Sequence, residues 1–129
     1  MSSGKVIYGR LSNDATVTAV ATGGIYPDTI PQGKTPPFMA FRTQSVDYNE
    51  TKDGVSGLDE VDVTVVSIGT TRNSAETLAG VVRTSLDGYD GTINSVVVDS
   101  IFITDESSRY NNDAEMIEIE QDYTIRIKL

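Results

Sequence analysis

The sequence predicts an α+β fold: a mainly antiparallel four-stranded sheet with helices packed on one face, in the order helix, strand, strand, helix, strand, strand. Three observations lead there. Along residues 117–129, Ile117, Ile119, Gln121, Tyr123, Ile125, Ile127 and Leu129 alternate without a break against Glu118, Glu120, Asp122, Thr124, Arg126 and Lys128. That is a strand with one dry face and one wet face. Ala75, Leu78, Ala79, Val82 and Leu86 share one side of a helix over residues 73–86. Residues 58–68, where Val61, Val63 and Val65 alternate with Asp62 and Thr64, and residues 96–104 read as two more strands. The sheet face without helices is left free for subunit contacts.

Taken in order, residues 5–21 are weakly helical, with Val6, Ile7 and Leu11 on one side. Ser12-Asn13-Asp14 interrupts them and can cap a second short turn through Val17 and Val20, which Gly23-Gly24 stops. All four prolines (Pro27, Pro31, Pro36 and Pro37) lie within residues 25–37, together with Tyr26. Proline has no amide proton and biases its predecessor toward extended backbone, so this is an ordered, extended connector. A strand over residues 38–45 follows it. Residues 46–57 are polar and read as a projecting hairpin or loop. Asn73 is expected to cap the main helix, with Glu76 three places on, and Gly88 to end it. The last strand is longer than the usual five or six residues, so part of it is expected to reach past the subunit's own core.

With 129 residues the chain suits one domain, spanning 1–129. It contains no cysteine and no histidine. That excludes disulfides, thiolate metal sites and the common histidine-dependent hydrolytic machinery. The net charge of −9 is opposite to that of a domain gripping nucleic acid by its phosphates, and an anionic membrane surface would repel it too. With no apolar run of membrane-spanning length and no secretory leader, a soluble intracellular protein is expected. The charge is concentrated: residues 47–60 carry −4 and residues 105–122 carry −6, leaving +1 elsewhere. Such segments are either solvated faces that aid solubility or the lining of one particular surface.

Candidate chemical sites do not survive inspection. Asp87-Gly88-Tyr89-Asp90-Gly91 lacks the ligand alternation of a calcium loop and reads as a helix stop and turn. Asp59, Glu60 and Asp62 begin a strand, where neighbouring side chains point to opposite faces, so they make a poor magnesium site. No phosphate-binding glycine loop or nucleophile elbow is present. Neither catalytic residues, nor a cofactor, nor a metal are expected, and the protein is expected to work by shape, contacts and field.

One resemblance runs through most of the chain. Ile25-Tyr26-Pro27 and Pro31-Gln32-Gly33 lead to Pro36-Pro37-Phe38 opening a strand. A strand over residues 61–68 precedes a short turn and the helix ending at Asp87-Gly88. Gln121-Asp122-Tyr123-Thr124-Ile125 sits in the closing strand. This order resembles the tail completion (tail terminator, or head–tail joining) proteins of long-tailed bacteriophages and prophages. The resemblance implies a structural virion protein at the head-proximal end of the tail, assembled in the host cytoplasm. Its subunits would form a homo-hexameric ring that caps the tail tube, ends its polymerisation and meets the head-completion (neck) proteins. DNA would pass through the lumen without specific binding, and an acidic lumen would repel its phosphates. By the same analogy Asp47, Glu50, Asp53, Asp59 and Glu60 are expected to face the lumen or tube. Tyr110, Asn111, Asp113, Glu115, Met116, Glu118 and Glu120 are expected at a subunit interface. Two other readings are a neighbouring stopper or minor tail protein, and an acidic cytosolic adaptor that binds a basic partner by strand addition.

Overall fold

The computed structural model describes residues 2–47, 58–112 and 115–128. Helix α1, Ser2–Ser12, buries Val6, Ile7 and Leu11. The Asn13 side-chain amide donates to Gly9 O at 2.7 Å, satisfying a carbonyl at the helix end. Asp14 then caps α2, Ala15–Val20, as the sequence suggests: its Oδ1 accepts from Thr16 N at 3.0 Å. Burial raises the Asp14 carboxyl, but the Thr16 and Val17 amides and the Arg10 charge outweigh that and hold it below the usual carboxylate range.

The connector places a strand where none is expected. Ile25–Pro27 forms β1, lying parallel to β2, Phe38–Asp47, with Ile25 opposite Met39 and Pro27 opposite Phe41. A proline at an edge strand costs no ladder bond when its nitrogen faces outward. Chain crowding at the start of the connector requires glycine: a Cβ at Gly23 would run into the carbonyl oxygens of Thr35 and Pro37. Strand β3, Leu58–Gly69, returns antiparallel to β2.

Helix α3 spans Arg72–Leu86, and its cap is Thr71, not Asn73: Thr71 Oγ1 accepts from Ser74 N at 3.1 Å. Asn73 lies inside the first turn instead. Thr and Asn both cap well, so sequence alone does not choose between adjacent turns. After α3 come β4, Gly91–Ile93, then β5, Val96–Asn111, and β6, Met116–Lys128.

The expected four-stranded antiparallel sheet with helices on one face is therefore corrected. Among the described residues the sheet is six-stranded, mixed and curled into a half-barrel, in the order β1-β2-β3-β6-β5-β4. The β1–β2 pair is parallel and every other pair antiparallel. Two of the six strands are only three residues long, too short for alternation to show. Register shifts at Thr43/Ser45, Val98/Ser100 and Ile103/Asp105 are bulges, which bend a strand and add twist, and so favour a curl over a flat layer.

The core joins Val6, Ile7, Leu11 and Val17 to Leu78, Val82 and Leu86, and both groups to one set of sheet positions that includes Val61, Val63, Val65, Tyr123 and Ile125. A smaller cluster sets Ala75 and Ala79 of α3 on Ile119. This cover does not reach all of β5, whose residues 104–110 are exposed one after another.

Candidate functional site

The wet side of the central strands carries an alternating ladder of carboxylates and hydroxyls. Asp62 of β3 stands opposite Thr124 of β6, and Thr64 opposite Asp122. Each threonine donates to the acid across from it, Thr64 Oγ1 to Asp122 Oδ1 at 2.7 Å and Thr124 Oγ1 to Asp62 Oδ1 at 2.9 Å. Thr104 Oγ1 adds a bond to Asp122 O at 3.2 Å. These residues and Glu120 line a shallow open depression of about 570 Å3. The threonine hydroxyls hold these two carboxylates in place on the open face of the sheet. Among the described residues no group of His, Cys, Asp or Glu is arranged to hold a metal ion.

The end of the β5–β6 ribbon is a second polar surface. Arg109 Nε donates to Glu118 Oε1 at 2.8 Å, and Asn111 Nδ2 to Glu118 Oε2 at 3.2 Å. The hydrogen bond and charge of Glu118 hold the Arg109 guanidinium still more firmly protonated. Tyr110 is 53 % exposed at this end. On the dry side, Gln121 is buried and links the two regions. Its Nε2 donates to Ala79 O at 3.2 Å and to Glu106 Oε1 at 2.7 Å, while Tyr123 OH donates to its Oε1 at 3.1 Å. Burial, together with the charges of Asp87 and Glu106, pushes the Tyr123 hydroxyl well above its ordinary value.

The residues expected at a lumen are only partly in view. Glu50 and Asp53 lie outside the described residues. Asp47 ends β2 opposite Glu60, the third residue of β3, Asp59 sits opposite Ile127, and the Arg126 side chain approaches Glu60 at 3.7 Å. Of the expected interface group, Tyr110, Asn111, Met116, Glu118 and Glu120 come together on the β5–β6 ribbon. Glu115 is in its turn, with φ +54°, and Asp113 lies outside the described residues. In the connector, Tyr26 OH donates to Gly23 O at 2.6 Å and Lys34 lies over the Tyr26 ring. Pro31 is exposed, while Pro36 and Pro37 are half-buried and joined by a cis peptide bond.

Sequence reasoning did not single out the Asp62–Thr124 and Thr64–Asp122 pairs or the Gln121 junction. One signal was present for Gln121, a lone amide on an otherwise apolar strand face. The threonine–aspartate pairs depend on register between strands distant in sequence, which alternation within one strand does not encode.

The family described as Tail completion protein gp17 matches residues 5–128. Among solved structures, a chain of the virion of a native gene transfer agent particle is similar to this one, with a TM-score of 0.73 and 19 % identity, over 95 % of this chain and 92 % of that chain. No curated protein matches.

Proposed function

The chain belongs to the Tail completion protein gp17 family, and from that premise we propose that it is a structural subunit of a tailed particle and not an enzyme. In this reading six copies close a ring at the head-proximal end of the tail tube. The ring ends tube growth and meets the head-completion proteins, and DNA crosses its open centre without being bound. The family match over residues 5–128 carries the reading. The character of the surface supports it. Asp62 and Asp122 are engaged by threonine hydroxyls, and Glu118 by Arg109 and Asn111. A fixed negative field repels phosphates, which suits a passage more than a grip. Asp47, Glu50, Asp53, Asp59 and Glu60 are assigned to the lumen or tube side, and the β5–β6 ribbon to subunit contacts.

The test is to add the purified protein to polymerising tail-tube protein and to image the products. Tubes of arrested length with an open-centred, six-subunit ring at one end are the expected result. Tube growth unaffected by the protein, with no ring on any tube end, would overturn the reading.

A further inference from the structure

Strand β5 is paired along one side by β6 but only in part along the other. Strand β4 takes Val96–Val98 through the pairs Ile93↔Val96, Thr92↔Val97 and Gly91↔Val98. The turn after α3 takes the next stretch. Gly88 N donates to Ile101 O at 2.7 Å, Ile101 N to Tyr89 O at 3.1 Å and Ile103 N to Asp87 Oδ1 at 3.0 Å. Beyond it, among the described residues, no strand lies beside residues 105–110 on that side. The strand nevertheless keeps its register with β6 from Asp105 opposite Asp122 to Tyr110 opposite Ile117, and all six residues are exposed. An extended, regular edge of this kind is a template for another strand.

The side chains narrow what that strand can be. Asp105, Ser107 and Arg109 lie on the acidic face, opposite Asp122, Glu120 and Glu118, while Glu106, Ser108 and Tyr110 lie on the other, opposite Gln121, Ile119 and Ile117. When a sheet continues across a new antiparallel pair, residues directly opposite each other share a face. A second copy paired about Ser107 obeys that rule throughout. Asp105 meets the partner copy's Arg109, Glu106 meets Ser108, Ser107 meets itself, and Arg109 meets Asp105. Two acid–base pairs form on one face. Centring on Ser108 instead sets Ser107 against Arg109 and Glu106 against Tyr110, with no acid–base pair. Centring on Glu106 drives the partner's strand toward the stretch the α3 turn already occupies. Arg109 engages Glu118 through Nε, which leaves its terminal nitrogens for a second carboxylate. Asp105 Oδ1 accepts from Glu106 N, an outward edge amide that pairing hands to the partner copy's Ser108 carbonyl, which releases the Asp105 carboxylate for the partner copy's Arg109.

We propose that residues 105–110 of β5 are a self-complementary edge that pairs two copies of this chain about a twofold axis at Ser107. The inference rests on the preceding reading only in treating the ribbon as a subunit contact. A twofold contact is isologous, whereas neighbours in a ring meet heterologously. The pairing therefore belongs to the unassembled protein, where it covers an edge that would otherwise recruit other chains, and it opens before the ring closes.

The absence of cysteine makes the test direct. Ser107→Cys, mildly oxidised, is expected to give one disulfide-linked dimer. Ser100→Cys, on the same face where the α3 turn covers the edge, is expected to stay unlinked. The unaltered chain should sediment as a dimer. Asp105→Arg should raise the dimer Kd roughly tenfold, two opposite-charge pairs becoming like-charge ones. Adding Arg109→Asp to it should restore the dimer. A monomer in sedimentation, or equal linking of the two cysteine variants, overturns the proposal. Rings on tube ends whose unassembled subunits never link through position 107 would also overturn it while leaving the ring reading intact.

Discussion

Along the β5–β6 ladder Ile101 faces Ile125 with both side chains fully buried, and further on Ser107 faces Glu120 with β5 exposed on both sides. The hydrogen-bonding partner strand is the same in both places; what differs is the cover. The first pair lies in the cluster that joins the sheet to Leu78, Val82 and Leu86 of α3 and to the buried side of α1. The second lies on the opposite, wet face, and the dry side of its stretch meets α3 through the small cluster of Ala75 and Ala79 on Ile119. Stability is therefore concentrated in the covered half, and the other half is backbone and charge available for contacts.

The largest expected effect tests that division. Ile125→Ala should lower unfolding stability by about 2–5 kcal/mol, because a fully buried side chain is removed from a packed cluster that relaxes only partly. Ser108→Ala, on the exposed half, should change it by less than about 0.5 kcal/mol. Urea unfolding of both variants measures the contrast. Equal losses would mean that the distal ribbon is packed against something that lends it stability, and the division would fall.

The same division explains what was legible in the sequence. Alternation over residues 117–129 located β6 and its dry face because one side of that strand is buried along nearly its whole length. The period of Ala75, Leu78, Ala79, Val82 and Leu86 located α3 for the same reason, and all five are buried. β5 was expected to end at residue 104 and runs on to Asn111. Past that point burial no longer selects residue types, so Asp105, Glu106, Ser107 and Ser108 look like loop. β1 and β4 are too short to alternate, and β1 is held by parallel pairing with β2, which local pattern does not reveal. Expected interface residues fell together because a hairpin brings neighbours in sequence together. The partners of Asp62 and Asp122 lie across a different pair of strands, and nothing local announces them.

A smaller effect sharpens the boundary between the halves, where Gln121 bridges Tyr123 to Glu106. The Tyr123 hydroxyl is buried and titrates higher in the folded chain than its ordinary value of 10.0. A raised tyrosine value means that the folded state favours the neutral phenol. Its stabilising contribution is complete below pH 10 and is lost as pH rises beyond it. Unfolding stability should therefore fall progressively above about pH 10. In Tyr123→Phe that alkaline fall should be reduced, after an initial loss of about 1–3 kcal/mol at neutral pH from leaving the Gln121 carbonyl without its donor. An unchanged alkaline profile in the variant would show that other groups cause the fall.

The smallest effect comes from the contact that looks strongest in the distal half. Arg109 and Glu118 approach to 2.8 Å, but the arginine side chain is 68 % exposed. Solvent screens such a pair, and holding two long side chains in place costs conformational freedom, so its net contribution is small. Arg109→Ala should leave the urea midpoint of the monomer nearly unchanged, and added salt should have little further effect. A loss comparable with that of Ile125→Ala would mean that Arg109 anchors the ribbon to the folded core. The ribbon would then be part of what holds the subunit together, and the distinction between a covered half that folds and an open half that meets neighbours would no longer hold.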